Sequence, residues 1–515
     1  MPTFARDAAE ERPHEIALRD AHVELTWEQV GAWVDRVASR LLASDLGAHR
    51  RIAVFAENSA DCVLAHVAGL VASTSVVPVN FHLTAPEAAY LLADSGARLV
   101  LCGPETAARA VAAAREAGVE QVVGWHTDDA GVTTLDDWCD RGPTAPLTLE
   151  DPPRPNLLYT SGTTGQPKGT ELPPTMFAGG ATLREHLERL RAHPFAAHGT
   201  HLVVGPLYHT GPLQAVRLLG AGIPVVVLGR FDAAATLAAI ERFRIETSVL
   251  VPTHFARLLA LPEHVRDSYD VSSLRFVVHT GAACPIDVKA AMLDWWGPVL
   301  YEAYGATEVG TTCLIGPDEW RAHPGSVGRP NPPLTATVLD DAGTELPPGT
   351  EGNLYFRDPT GRGIVYHDGH EACAPGAHRA AVDETGLFTL GEVGYVDDDG
   401  YVYITDRASD MVVSGGVNVY PAEAEQRLVT HPEVADAAGF GVPDDVMGEA
   451  FMMLVVPRDH ASPPDPEALR SWLRDRLTHY KCPARIVVVE SLDRTAMGKL
   501  VKRRLRDRFL AGELT

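Results

Sequence analysis

From residue 26 onward the chain alternates between two spacings of apolar residues. In 26-TWEQVGAWVDRVASRLL-42, Val30, Trp33, Val34, Val37 and Leu41 recur every three or four positions, the period of one helix face. Thr26 and Gln29 match a capping box at its start. The short apolar run 52-IAVFA-56 predicts a buried strand. A helix over 61–72, a strand over 75–79, a helix opened by Thr84, Pro86 and Glu87, and a strand over 98–102 continue the rhythm. It returns as strand 223–228, helix 233–244, strand 247–251, helix 253–261 and strand 274–281, ending in the small-residue turn 281-GAACP-285. Such alternation predicts α/β layers with largely parallel sheets, whose ligands bind beyond the carboxyl ends of strands.

From about 330 the texture changes to strand pairs with polar turns. In 393-VGYVDDDGYVYIT-405 the pair Asp399-Gly400 reads as a hairpin turn. The acidic run around it lacks the spacing and distal glutamate of a calcium loop. After Asp406-Arg407 comes a compact segment with helices, strands and a basic tail, and the domain boundary is placed there. The expected organisation is a large domain over 1–406, including a β-rich subdomain, a hinge over 407–410, and a small mobile α+β domain over 411–515.

Composition narrows the function classes. The chain has 515 residues, too many for one ordinary core. Lys+Arg 44 against Asp+Glu 68 gives a net charge of -24, which disfavours non-specific nucleic-acid binding. The 7 cysteines are scattered, with no C-x-x-C pair, and predict reduced thiols in a cytoplasmic protein. The N-terminal stretch lacks the apolar core of a signal peptide, and runs such as 223-IPVVVLG-229 are too short to span a bilayer.

The stretch 159-YTSGTTGQPKG-169 has the composition of a phosphate loop. Its glycines allow close backbone approach, its hydroxyls and N–H groups donate hydrogen bonds, and Lys168 adds a point charge. It is not a Walker A loop, because Gly165 is followed by Gln166, Pro167, Lys168 and Gly169.

Five further stretches stand with it in order: 206-PLYHTG-211, 301-YEAYGATE-308, 325-GSVGRP-330, 406-DRASDMVVSGGVNVYP-421 and 493-DRTAMGKLVKRRLR-506. Together they resemble the AMP-forming adenylating enzymes: acyl- and aryl-CoA synthetases, luciferases and peptide-synthetase adenylation domains. The resemblance implies transfer of a carboxylate to the α-phosphate of ATP, release of pyrophosphate, and attack on the acyl-adenylate by CoA. Thr160, Ser161, Gly162, Thr163, Thr164, Gly165 and Lys168 would cradle the β- and γ-phosphates. Tyr304 would stack on adenine, with Gly305, Ala306 and the segment Gly281, Ala282, Ala283 beside the nucleotide and acyl group. Thr307 would contact the α-phosphate and Glu308 would support Mg²⁺. His209 matches the residue that gates the acid pocket and orients its carboxylate. Lys499 matches the lysine bridging carboxylate and α-phosphate, Arg407 resembles the arginine that contacts ribose or phosphate, and Ser409 falls at the position where family members swivel. Ser414, Gly415 and Gly416 would line the pantetheine tunnel.

Three positions depart from the family pattern. Glu392, in 388-FTLGEVGY-395, stands where an aspartate usually chelates the ribose hydroxyls. Met447 replaces a tryptophan common against the CoA adenine, and 170-TELPP-174 lacks the usual polar sequence after the loop. His193, His198 and His201 read as surface histidines, and Lys502, Arg503, Arg504, Arg506 and Arg508 as a solvated basic face. The expected partners are a small carboxylic acid, bulky or aromatic given the small residues beside the nucleotide, with ATP, Mg²⁺ and CoA. Alternatives are an enzyme limited to transfer from a preformed adenylate, a diazotase activating nitrite, a carrier-protein loader and a non-catalytic nucleotide sensor. A homodimer is left open.

Overall fold

The computed structural model describes residues 6–160, 167–172, 179–340, 342–359, 386–407, 410, 412–414, 417–419, 421–444, 447–477, 479–494 and 500–514. Local rules act where the sequence signals them. Trp27–Leu42 is a helix capped reciprocally: the Gln29 N–H donates to Thr26 Oγ1 at 3.3 Å, and the Thr26 N–H donates to Gln29 Oε1 at 2.9 Å. Capping of this kind contributes about 1 kcal/mol. The helix buries Trp27, Val30, Val34, Val37 and Leu41 against Ala60–Val71 and the strands below. At Ala85–Ser95 the Glu87 carboxylate accepts the Thr84 N–H at 2.8 Å and the Thr84 hydroxyl at 2.7 Å, and Gly96 ends the helix in the left-handed region.

Among the described residues the strands form four sheets. One has five parallel strands in the order Ser75–Val79, Arg51–Phe55, Leu99–Cys102, Gln121–Gly124 and Thr133–Thr134. Every residue of the first three is buried, which explains their unbroken apolar runs. The largest sheet has 14 strands. Its parallel part comprises Ile16–Arg19, Val225–Val227, His201–Val203, Thr247–Leu250, Phe276–His279 and Leu300–Ala306. Beyond Leu300–Ala306 it continues antiparallel through Gly310–Ile315, Ser326–Pro330, Val402–Arg407, Glu392–Val396, Gly352–Arg357 and Thr335–Leu339. This antiparallel half is the β-rich subdomain. Its turn at Asp397–Gly400 is closed by Asp397, whose Oδ1 accepts the Asp399 and Tyr401 N–H groups at 3.0 and 2.8 Å.

The third sheet belongs to a small C-terminal α+β domain. It orders Val417–Val419, Val412–Ser414, Gly448–Pro457 and Val434–Asp444, with Arg485–Val488 parallel to Gly448–Pro457. The helices Pro421–Leu428, Pro466–Arg474 and Lys502–Leu510 cover it. The fourth is the two-stranded hairpin Leu157–Thr160 and Lys168–Glu171. No described helix is long and apolar enough to cross a membrane.

Candidate active site

The hairpin places Thr160 opposite Lys168 at the base of the phosphate-loop stretch. Ser161, Gly162, Thr163, Thr164 and Gly165 lie outside the described residues, as do Ser409, Gly415, Gly416 and Lys499. The hairpin is tied to helix Ala85–Ser95 and its surroundings by side chains that the sequence alone did not single out. The Tyr159 hydroxyl donates to Asp94 Oδ2 at 2.6 Å, and the Tyr90 hydroxyl donates to the Pro167 carbonyl at 3.1 Å. Burial and the adjacent Asp94 carboxylate push the Tyr159 phenol well above its ordinary value, so it stays a donor. Arg51, 1% exposed, donates to the Ser95 carbonyl at 3.0 Å and to Glu171 Oε1 at 3.1 Å.

The remaining candidates of the large domain sit at strand ends. His209 lies on the segment after His201–Val203, its ring 4.4 Å from that of Tyr208 and tilted 48° to it. Asn58 holds this segment in place, donating to the Gly205 carbonyl and accepting the Leu207 N–H, both at 2.8 Å. Gly281, just past Phe276–His279, has φ 87, a left-handed conformation that glycine adopts without strain. Tyr304, Gly305 and Ala306 end the strand Leu300–Ala306, and Thr307 and Glu308 form the turn into Gly310–Ile315. A Cβ at Gly305 would overlap the Gly310 carbonyl, so this crossing requires glycine. Tyr304 packs 6.0 Å from Phe356, joining the site to the β-rich core. Glu392 and Arg407 are register partners where one strand begins and its antiparallel neighbour ends, which brings the ribose candidates side by side. Ser414 ends its strand opposite Val417 and Gly448.

Beneath the two strand-end turns lies a buried ionic cluster. Lys289 Nζ is 2.6 Å from Glu302 Oε2, and His279 Nε2 is 3.5 Å from the same oxygen. Lys289 also lies 4.8 Å over the Trp320 ring. Burial pushes the Glu302 carboxyl up and the Lys289 ammonium down, and their mutual contact opposes both shifts. The pair joins helix Ile286–Trp296 to strand Leu300–Ala306, fixing the spacing between the 281–285 and 304–308 turns.

A cleft of about 1080 Å³ opens beside the 281–285 turn. The large domain contributes Phe81, Pro206, Phe231, His254, Ala282 and Ala283 to its wall, and the C-terminal domain contributes Val429, Asp436, Arg458 and Arg494. Arg494 makes a two-pronged pair with Asp436 at 2.5 and 2.7 Å.

Two expectations are corrected. His201 is not a surface residue: it is fully buried in a central strand, with Nδ1 2.8 Å from Thr247 Oγ1. His193 and His198 are half-buried, stacked on Phe195 and Phe276 respectively. Lys502 is not on a solvated face either. Its side chain is 10% exposed and pairs with Glu425 at 2.9 Å, because the helix Lys502–Leu510 packs onto the C-terminal sheet.

Comparison with known proteins places this geometry. The family model described as AMP-binding enzyme matches residues 5–364, and that of the AMP-binding enzyme C-terminal domain matches 423–499. A feruloyl-CoA synthase from Amycolatopsis sp is 34% identical over 96% of this chain and 96% of its own. An indoleacetate–CoA ligase from Aromatoleum aromaticum is 31% identical over 95% of this chain and 94% of its own. Among solved structures, the amide bond synthetase McbA from Marinactinospora thermotolerans superposes with a TM-score of 0.79 at 27% identity, covering 98% of this chain and 99% of that one.

Proposed function

The chain belongs to the AMP-binding enzyme family, and from that premise we propose that it activates an aromatic carboxylic acid with ATP and transfers the acyl group to CoA. A carboxylate is a poor electrophile. Its oxygen attacks the α-phosphorus, the bond to the β-phosphate bridging oxygen breaks, and pyrophosphate leaves. The thiol of CoA then attacks the acyl carbon, gives up its proton, and displaces AMP. Such chemistry calls for placement of the reactants and stabilisation of charge on several oxygens.

The observation that carries this reading is the shared cleft. Ala282 and Ala283 of the turn after Phe276–His279 contribute to one wall, and the C-terminal domain, whose 493–506 stretch bears Lys499, contributes to the other. His209 would orient the carboxylate and Thr307 would contact the α-phosphate. Glu392 and Arg407, register partners at one end of two adjacent strands, would hold the ribose. Among the described residues no group of three or more His, Cys, Asp or Glu could hold a metal. Mg²⁺ would be borne on the ATP phosphates, with Glu308 as a supporting carboxylate. Bound there, it would neutralise phosphate charge.

Two relatives with aromatic acids in their names support the aromatic class, and their names also specify CoA. A second reading, transfer from a preformed adenylate only, is favoured by one feature, the glutamate at 392.

The test is carboxylate-dependent exchange of labelled pyrophosphate into ATP without CoA, across aromatic, aliphatic and polycyclic acids and nitrite. Exchange with aromatic acids, and acyl-CoA formation once CoA is added, is the expected result. Exchange with nitrite alone would refute acyl activation. Absence of exchange, with turnover of synthetic acyl-adenylates and CoA, would replace the reading with the half-reaction.

A further inference from the structure

The cleft holds a polar side chain that its surroundings leave half satisfied. His254 is the third residue of helix Pro252–Leu259, lines the cleft, and is 4% exposed. Its ring lies flat on Phe231, with centroids 4.0 Å apart and planes 9° apart. The Val251 N–H donates to its Nδ1 at 3.4 Å. Burial lowers its pKa to about 3, so the ring is neutral at working pH and its one proton sits on Nε2. Among the described residues nothing accepts from that N–H.

The wall around it also carries Arg230 and Arg257, the latter 4.8 Å over the Phe231 ring. A buried N–H donor there penalises a ligand that cannot accept from it. A site of this kind discriminates between near-isosteres far better than an apolar pocket does. The stacked His254 and Phe231 rings present a wall suited to an aromatic ring.

We propose that His254 is the specificity-determining residue of the acid pocket, its Nε2–H donating to an uncharged oxygen on the ring of an aromatic acid. The acceptor is an ether, hydroxyl or carbonyl oxygen remote from the reacting carboxylate. The assignment rests on reading the cleft as the acid site of an adenylating enzyme. It adds the substituent that the acid must carry.

The experiment compares two acids that differ only in one ether oxygen for one methylene: para-methoxybenzoate against para-ethylbenzoate, and the corresponding cinnamates. Pyrophosphate exchange is followed as kcat/KM for each pair. The wild-type enzyme is expected to prefer the ether of at least one pair by about tenfold. In His254→Leu that ratio is expected to fall to about one, whereas a merely structural role would lower both rates and leave the ratio intact. His254→Gln keeps a donor and is expected to restore part of the preference, and it serves equally if the leucine variant does not fold. Exchange with no preference in the wild type, or an unchanged ratio in the variants, would overturn the assignment of His254 alone. Exchange with none of the acids would overturn the adenylation reading and this proposal together.

Discussion

His66, His186, His201 and His254 are held below their ordinary pKa by burial, at about 3, 4, 3 and 3. In the unfolded chain they titrate near 6.5. As pH falls the unfolded chain therefore takes up protons first. The stability these residues contribute is fully present above about pH 6.5 and is lost progressively towards pH 3, at about 1.4 kcal/mol per pH unit for each. Urea unfolding should show a midpoint that drops steeply between pH 6 and pH 4.5. His66, whose Nδ1 has no partner among the described residues, gives the cleanest test. His66→Leu should flatten the slope by about one histidine's share, and an unchanged slope would refute this account. A second residue-scale prediction concerns Glu392. If it is an overlong ribose ligand, Glu392→Asp should tighten ATP several-fold, the scale of one charged hydrogen bond partly restored. Unchanged or weaker binding by calorimetry would show that the strand register already compensates.

The hairpin Leu157–Thr160 and Lys168–Glu171 is a two-stranded sheet, and such a unit is marginal by itself. Its position depends on ties to its neighbours, chiefly Tyr159 to Asp94, Tyr90 to Pro167 and Arg51 to Glu171. Tyr159→Phe removes one tie and leaves the ring. We expect KM for ATP in pyrophosphate exchange to rise about three- to tenfold, the effect of one hydrogen bond. Transfer from a synthetic acyl-adenylate to CoA should change much less. Equal loss in both assays would mean that the tyrosine only stabilises the fold.

Elements were legible in the sequence where a local rule agrees with the tertiary environment. The caps at Thr26 and Thr84, and the fully buried runs 51–55, 75–79 and 99–102, are of that kind. His201–Val203 escaped, because a three-residue strand opening on histidine carries no periodicity. The ionic cluster escaped for a related reason. Lys289 and Glu302 lie on a helix and the following strand, and no local pattern marks two opposite charges 13 residues apart as a buried pair. Asn58, Asp94 and His254 act on residues distant in sequence, so no spacing announces them.

At the scale of the molecule, the parallel and antiparallel halves of one 14-stranded sheet meet at strand Leu300–Ala306, where the candidate nucleotide residues lie. The motif order along the chain made this architecture readable, including the separate C-terminal domain. The proposed pair of half-reactions would require that domain to present different residues to one cleft. Lys499→Ala should therefore abolish exchange, by about a hundredfold or more if it supplies charge stabilisation. Conversion of a synthetic acyl-adenylate to acyl-CoA should largely survive. Parallel loss of both activities would show that Lys499 has another role.

The buried Lys289–Glu302 pair also constrains how this lineage can change. Losing either partner alone strands a charge beneath the site, at about 3–5 kcal/mol, a large share of the net stability of an ordinary domain. Replacing both with apolar residues of similar volume carries no such penalty. The two positions should therefore drift as one heritable unit. Related sequences would carry both charges or neither, and an ancestor with only one would have survived only with a compensating neighbour.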